Sequence, residues 1–125
     1  MTHIVSVGPD SYDPYEGDIP SGIDWIVYWY QNGDYDGSGS AYAYGNGKYY
    51  TRYLGHCSCY GPWDLSERAW SETNIAEIDR DLGISTGTTN ELDEQYQALA
   101  VAIIPLLGIW PTPTRAEINF RSHAE

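Results

Sequence analysis

Between residues 23 and 55 the hydrophobic and aromatic positions read with a strand's period of two and leave neither face polar, and beyond Pro62 the period switches to about 3.6. "IDWIVYWYQ", residues 23–31, is rich in β-branched and aromatic side chains and runs into the turn cluster "NGDYDG", which predicts a strand. "SGSAYAY" then alternates small residues with tyrosines, "GNGK" supplies a tight hairpin turn, and "KYYTRYL" resumes the strand pattern. The expected unit is a three-stranded antiparallel meander over about 23–55. Ile23, Trp25, Val27 and Trp29 should share one side and Ile26, Tyr28 and Tyr30 the other, because side chains alternate along a strand. Tyr42, Tyr44, Tyr49, Tyr50 and Tyr53 keep both sides aromatic. One side is therefore expected under a helix, and the other as core or as a tyrosine-lined contact surface.

Helix signals follow. Asp64 with Glu67 forms a capping pattern for a short helix through Trp70, and Thr73 or Asn74 caps "IAEIDRDL", which Gly83 ends. Asn90 opens the strongest helix, "ELDEQYQALAVAII", whose early acids suit the positive end of a helix dipole. Pro105 should kink or stop it, and "TRAE" at 114–117 repeats the cap pattern before a last short helix. Residues 8–22 hold prolines, glycines and acids without alternation. The expected fold is α+β: the meander followed by three to four helices packed on one face, in a single domain, 1–125, with 1–22 an extended or loosely held N-terminal arm.

Charge narrows the function classes. Eighteen Asp and Glu stand against six Lys and Arg, a net charge of −12. Such a field repels phosphates, so direct nucleic-acid binding is excluded as an expectation, while a basic protein partner is favoured. Solubility or a salty cytoplasm would also account for the acidity. No segment reads as a secretory signal, and the longest apolar run, Ala98 to Trp110, is too short and too interrupted to span a bilayer. Two cysteines without an export signal imply free thiols in a reducing cytoplasm.

"YLGHCSCYGPWD", residues 53–64, concentrates reactive side chains, yet the spacing fits no established chemistry. One residue separates Cys57 from Cys59 and no second pair exists, which argues against structural zinc and against an unstrained disulfide. His56 and Cys57 point to opposite faces of an extended chain, so the histidine is a poor base for that thiol. "DYDGSG" opens like a calcium loop, but its twelfth position is Gly45 where a glutamate is needed, and the glycine-rich run lacks the spacing of a P-loop. No metal, cofactor or catalytic residue is expected. Gly55, Gly61 and Pro62 read instead as a joint by which the third strand exits sharply over small thiols.

Residues 35–64, about a quarter of the chain, resemble a group of small uncharacterised bacteriophage and prophage proteins that share Y-x-G-S-G-x-A, a short hairpin and H-C-S-C-Y-G-P. The matching positions are Gly37, Gly39, His56, Cys57, Cys59, Tyr60, Gly61 and Pro62. The resemblance implies phage origin and action in the host cytoplasm, and small acidic phage proteins are often inhibitors of host defence that imitate the charge of DNA. The expected function is thus a non-enzymatic interaction protein of anti-CRISPR or anti-restriction type, occupying the basic site of a host nucleic-acid-binding effector. Its expected contact residues are Asp34, Tyr35 and Asp36 at the hairpin and Glu72, Glu77, Asp79 and Asp81 further on. The alternative is a small-ligand or metal-binding module built on His56, Cys57 and Cys59, for example one that sequesters a nucleotide signal.

Overall fold

The computed structural model describes residues 2–15, 17, 19–33, 36–57, 61–63 and 70–107. They belong to two compact units, Met1–Asn74 and Ile75–Glu125, and each is treated by itself. The class is α+β.

The first unit is a sheet of β1 (His3–Ser6), β2 (Ile23–Asn32), β3 (Asp36–Gly45), β4 (Lys48–Tyr53), β5 (His56–Cys57) and β6 (Ser71–Thr73). Its order is β1-β2-β3-β4-β6, with β5 also paired to β3. The β2–β3–β4 meander is the expected one. The β3–β4 turn is the two-residue loop Asn46–Gly47, both at positive φ (56° and 74°), the conformation whose twist matches the flanking strands.

Three features enlarge the expected sheet. β1 runs parallel to β2, from His3↔Trp25 to Ser6↔Tyr28, within the stretch expected as an arm. β6 pairs antiparallel with β4 in a stretch where no strand was expected, and the expected helix "IAEIDRDL" follows it at Ile75, directly after the cap position Asn74. Trp70 lies outside any helix, and the rest of the helix expected from Asp64 falls outside the described residues. Finally, β5 continues β4 along β3 without slippage: Ser40↔Tyr53 and Gly37↔His56 are each three residues further along. The Leu54 N–H still reaches the Gly39 carbonyl at 2.9 Å. The expected exit at Gly55 is therefore corrected, because the strand keeps its register through Cys57.

One face of β3 carries only Gly37, Gly39, Ala41, Ala43 and Gly45, by alternation along the strand. These small residues leave room for the large side chains of the neighbouring strands. Ile26, Tyr28 and Tyr30 fill that face with Ala41, Ala43, Leu54 and Trp63, and Ile4, Ile19, Tyr50 and Trp70 pack at its margin. Burying each large side chain contributes roughly 1.5–3 kcal/mol. Ile23 joins this cluster instead of the Trp25 side, because a register shift between Ile23 and Trp25 turns it over. Trp25, Val27, Trp29 and Tyr42 on the opposite face are buried too, so β2 is covered on both sides.

The stretch after β1 is extended and tied down. Val7 and Asp10 N–H donate to the Tyr28 and Tyr30 carbonyls, Tyr12 N–H donates to the Tyr28 hydroxyl, and the Trp63 indole N–H donates to the Tyr12 carbonyl at 2.6 Å.

The second unit holds α1 (Ile75–Leu82), a 3-10 turn (Thr89–Glu91) and α2 (Glu94–Leu107). Gly83, at φ 63°, ends α1 as expected, with Gly83 N–H on the Arg80 carbonyl and Ile84 N–H on the Asp79 carbonyl. The Thr89 hydroxyl reaches the Leu82 and Gly83 carbonyls at 2.6 and 2.9 Å and satisfies the helix end. The two helices pack together, with Ile78 and Leu82 buried on α1 and Leu99, Ala100, Ile103, Ile104 and Leu107 on α2. α2 starts at Glu94, not Asn90, and it runs through Pro105. Pro105 and Val101 lie one turn apart on the exposed side, so the carbonyl that loses its partner there meets water. The helix expected after residue 114 falls outside the described residues. Among the described residues no helix is long and apolar enough to cross a membrane.

Candidate functional site

The glycine and histidine of the sequence motif meet in space. Tyr30 on β2 and His56 on β5 flank β3 on either side, two strand spacings or about 9.5 Å apart. Their side chains close that gap above Gly37, with the Tyr30 hydroxyl 2.6 Å from His56 Nε2 and the rings nearly parallel, 5.7 Å between centroids. A Cβ on Gly37 would lie 2.5 Å from both atoms, so the contact requires glycine at that position. The same hydroxyl lies 3.3 Å from Asn32 Oδ1. Asn32 Oδ1 can only accept, so when the single Tyr30 proton is given to it, His56 must donate to the phenol oxygen through Nε2–H. Tyr30 is raised above the usual tyrosine pKa, chiefly by burial and then by its neighbours Tyr12 and Asp10.

The spacing of Gly37 and Gly39 on one strand face was the signal for this contact: two missing side chains in a row mean that something large crosses there. The Cys59 position and the Cys57 side chain fall outside the described residues. Among the described residues no three of His, Cys, Asp or Glu gather as a metal site.

Beside this contact lies a second polar-aromatic cluster. Tyr28 donates to Asp13 Oδ1 at 2.7 Å and meets Trp63 edge-on at 5.5 Å. Arg52 is buried, at 7% exposure, and its guanidinium sits 5.4 Å from the Trp63 ring centre and 6.0 Å from that of Trp70 and donates to the Trp63 carbonyl at 2.8 Å. These groups hold the chain after β1 and the chain at Trp63 on the sheet. Their work is architectural.

The expected contact acids divide between the units. Asp34 and Tyr35 fall outside the described residues. Asp36 is exposed at the start of β3, and Glu72 is exposed on the edge strand β6. Strand register places them seven residues apart along β3, about 23 Å, and on opposite faces. Glu72 pairs with Lys48 at 3.6 Å. On α1, Glu77 pairs with Arg80, and Asp79 turns back to accept from the Ser85 N–H at 2.7 Å and from its hydroxyl. Asp79 thus closes the turn after α1, while Glu77 and Asp81 share a helix face one turn apart.

No described carboxylate is buried. The described cations are committed: Lys48 and Arg80 lie against glutamates, and Arg52 is under two indoles. Of the tyrosines, Tyr12, Tyr15 and Tyr53 are exposed, at 43%, 70% and 59%. Tyr12 and Tyr15 were not among the expected contacts, although "DSYDPY" interleaves them with acids and prolines that favour an extended surface path. Sequence reading also missed a cleft of about 870 Å³ beside β1, bounded by Thr2, Ile4, Ile19, Pro20, Ile23 and Asp24 among others. No protein-family model matches the chain, and neither the curated proteins nor the solved structures return a match.

Proposed function

We propose that this chain is a non-enzymatic interaction protein of phage type that inhibits a host-defence nucleic-acid-binding complex, presenting an acidic, tyrosine-bearing surface to its basic site. The observation that carries the reading is the unbalanced surface charge. The net charge is −12, every described carboxylate reaches solvent, and each described cation is already engaged. A cationic cleft would meet little opposing charge on this surface, and the summed field would steer the encounter. Exposed phenols at Tyr12 and Tyr15, next to Asp10 and Asp13, add contact area with few rotatable bonds.

The test is capture of partners from a bacterial host lysate on immobilised protein at low and at high salt. Screening shortens the Debye length from about 30 Å at 0.01 M to about 3 Å at 1 M ionic strength, so a basic nucleic-acid-binding protein should be retained only at low salt. Added duplex DNA should compete it away. Retention that is indifferent to both salt and DNA, or recovery of no basic protein, rejects the reading.

A further inference from the structure

β1 is an edge strand, and among the described residues no strand pairs with its outer side. Its inner side is identified by Val7, whose N–H donates to the Tyr28 carbonyl at 2.9 Å. Amides alternate along a strand, so those of His3 and Val5 also face β2, and those of Ile4 and Ser6 face outward. Beside this outer side opens the cleft of about 870 Å³, where the half-buried Ile4 and Ile19 mark the margin of the buried core. Asp24 is the charged side chain of the described lining.

The geometry points to β1 and this cleft as a docking site for an extended basic segment of a partner protein, added as a further strand. Its backbone pairs with Ile4 and Ser6, alternate apolar side chains enter the cleft, and the intervening cationic ones, on the opposite side of the added strand, meet the negative field of the chain. A second copy of this chain is disfavoured as the occupant because each copy carries −12. The inference rests on the proposed function for the partner's basic character, while the pairing geometry stands on the strand itself.

The probe is an acetylated and amidated octapeptide of alternating lysine and valine. Its control has proline for each valine, which keeps the charge and removes the donors a strand needs. Binding is followed by fluorescence anisotropy, and amide exchange by NMR on the labelled full chain. At ten times the Kd, exchange at Ile4 and Ser6 should slow about tenfold, and Val5 and Val7, already bonded to β2, should not respond. The proline peptide should give no such protection.

The site is overturned if the peptide fails to bind, if it binds without slowing Ile4 and Ser6, or if the proline control protects equally. It is also overturned if those amides become protected in the free protein as concentration rises, which would make a second copy the occupant. Loss of peptide pairing with salt-sensitive partner capture intact removes only this site. Capture that fails while Ile4 and Ser6 are protected removes the defence-inhibitor reading and leaves the site.

Discussion

Replacing Gly37 by alanine places a methyl carbon 2.5 Å from both the Tyr30 hydroxyl and His56 Nε2. Tyr30 is 1% exposed and meets Tyr12 edge-on at 5.9 Å, so its ring has little room to retreat. Overpacking of this kind costs about 1–3 kcal/mol, and displacing the Tyr30–His56 hydrogen bond adds about 1 kcal/mol. Restricting the unfolded chain returns about 0.4–1 kcal/mol. The net expectation is a loss of about 2 kcal/mol, within the stability of about 5–15 kcal/mol usual for a domain, so the variant should fold. In urea melts followed by tryptophan emission, a slope of about 2 kcal/mol/M makes this a fall of about 1 M in midpoint.

Tyr30→Phe removes one of the two clashing atoms together with the hydrogen bond, and alone should cost about 1 kcal/mol. The double variant should then be more stable than the sum of the two losses by at least about 0.5 kcal/mol. Gly17→Ala is the control, since nothing lies within 4 Å of its Cβ. It should be neutral or stabilising by up to about 1 kcal/mol. A neutral Gly37→Ala, or strict additivity with Tyr30→Phe, would refute the claim that glycine is needed to let tyrosine and histidine meet.

Thr89→Val keeps the shape but strips the donor from the Leu82 and Gly83 carbonyls and should cost about 1–3 kcal/mol, lowering the CD melting temperature by about 4 °C or more. Thr89→Ser should recover most of that, and equal losses for the two variants would assign the effect to packing. Burial lifts Tyr28, Tyr30 and Tyr49 above the ordinary tyrosine pKa of 10.0, with Tyr44 adding to the rise at Tyr49. A folded value above the unfolded one means that these phenols contribute stability in full below about pH 10, and that this stability is lost as pH rises through their folded values. Near-UV CD should therefore collapse together with the late part of the tyrosinate absorbance rise, and complete ionisation with unchanged near-UV CD would contradict the burial argument.

The meander was legible because its signals are local. Gly and Ala alternate with Ser and Tyr along β3, and Asn46–Gly47 supplies the two positive φ values of the turn. Gly83 likewise stops α1 by a conformation that its own lack of a Cβ permits. Where expectation and structure part, the deciding contact is remote. Ser71–Thr73 carries no strand signal of its own before the helix that does start at Ile75, yet pairing with Tyr49–Thr51 holds it as a strand. Pro105 reads as a stop, but it lies on the side of α2 where a lost hydrogen bond is repaired by water. Among the expected acids, Asp79 became a turn brace once Ser85 came within reach.

Charge sign, the hairpin, the two described helices and the small-residue face of β3 follow from the order of the amino acids, because each depends on a residue and its near neighbours. Tertiary structure alone decided that His3–Ser6 joins the sheet, that His56 finds Tyr30, and that Tyr12, Tyr15 and Tyr53 stay in water while Tyr28 and Tyr30 do not. Those outcomes depend on ladder bonds and burial between segments some twenty residues apart, for example the |i−j| of 26 between Tyr30 and His56. No window of local preference contains such a free energy.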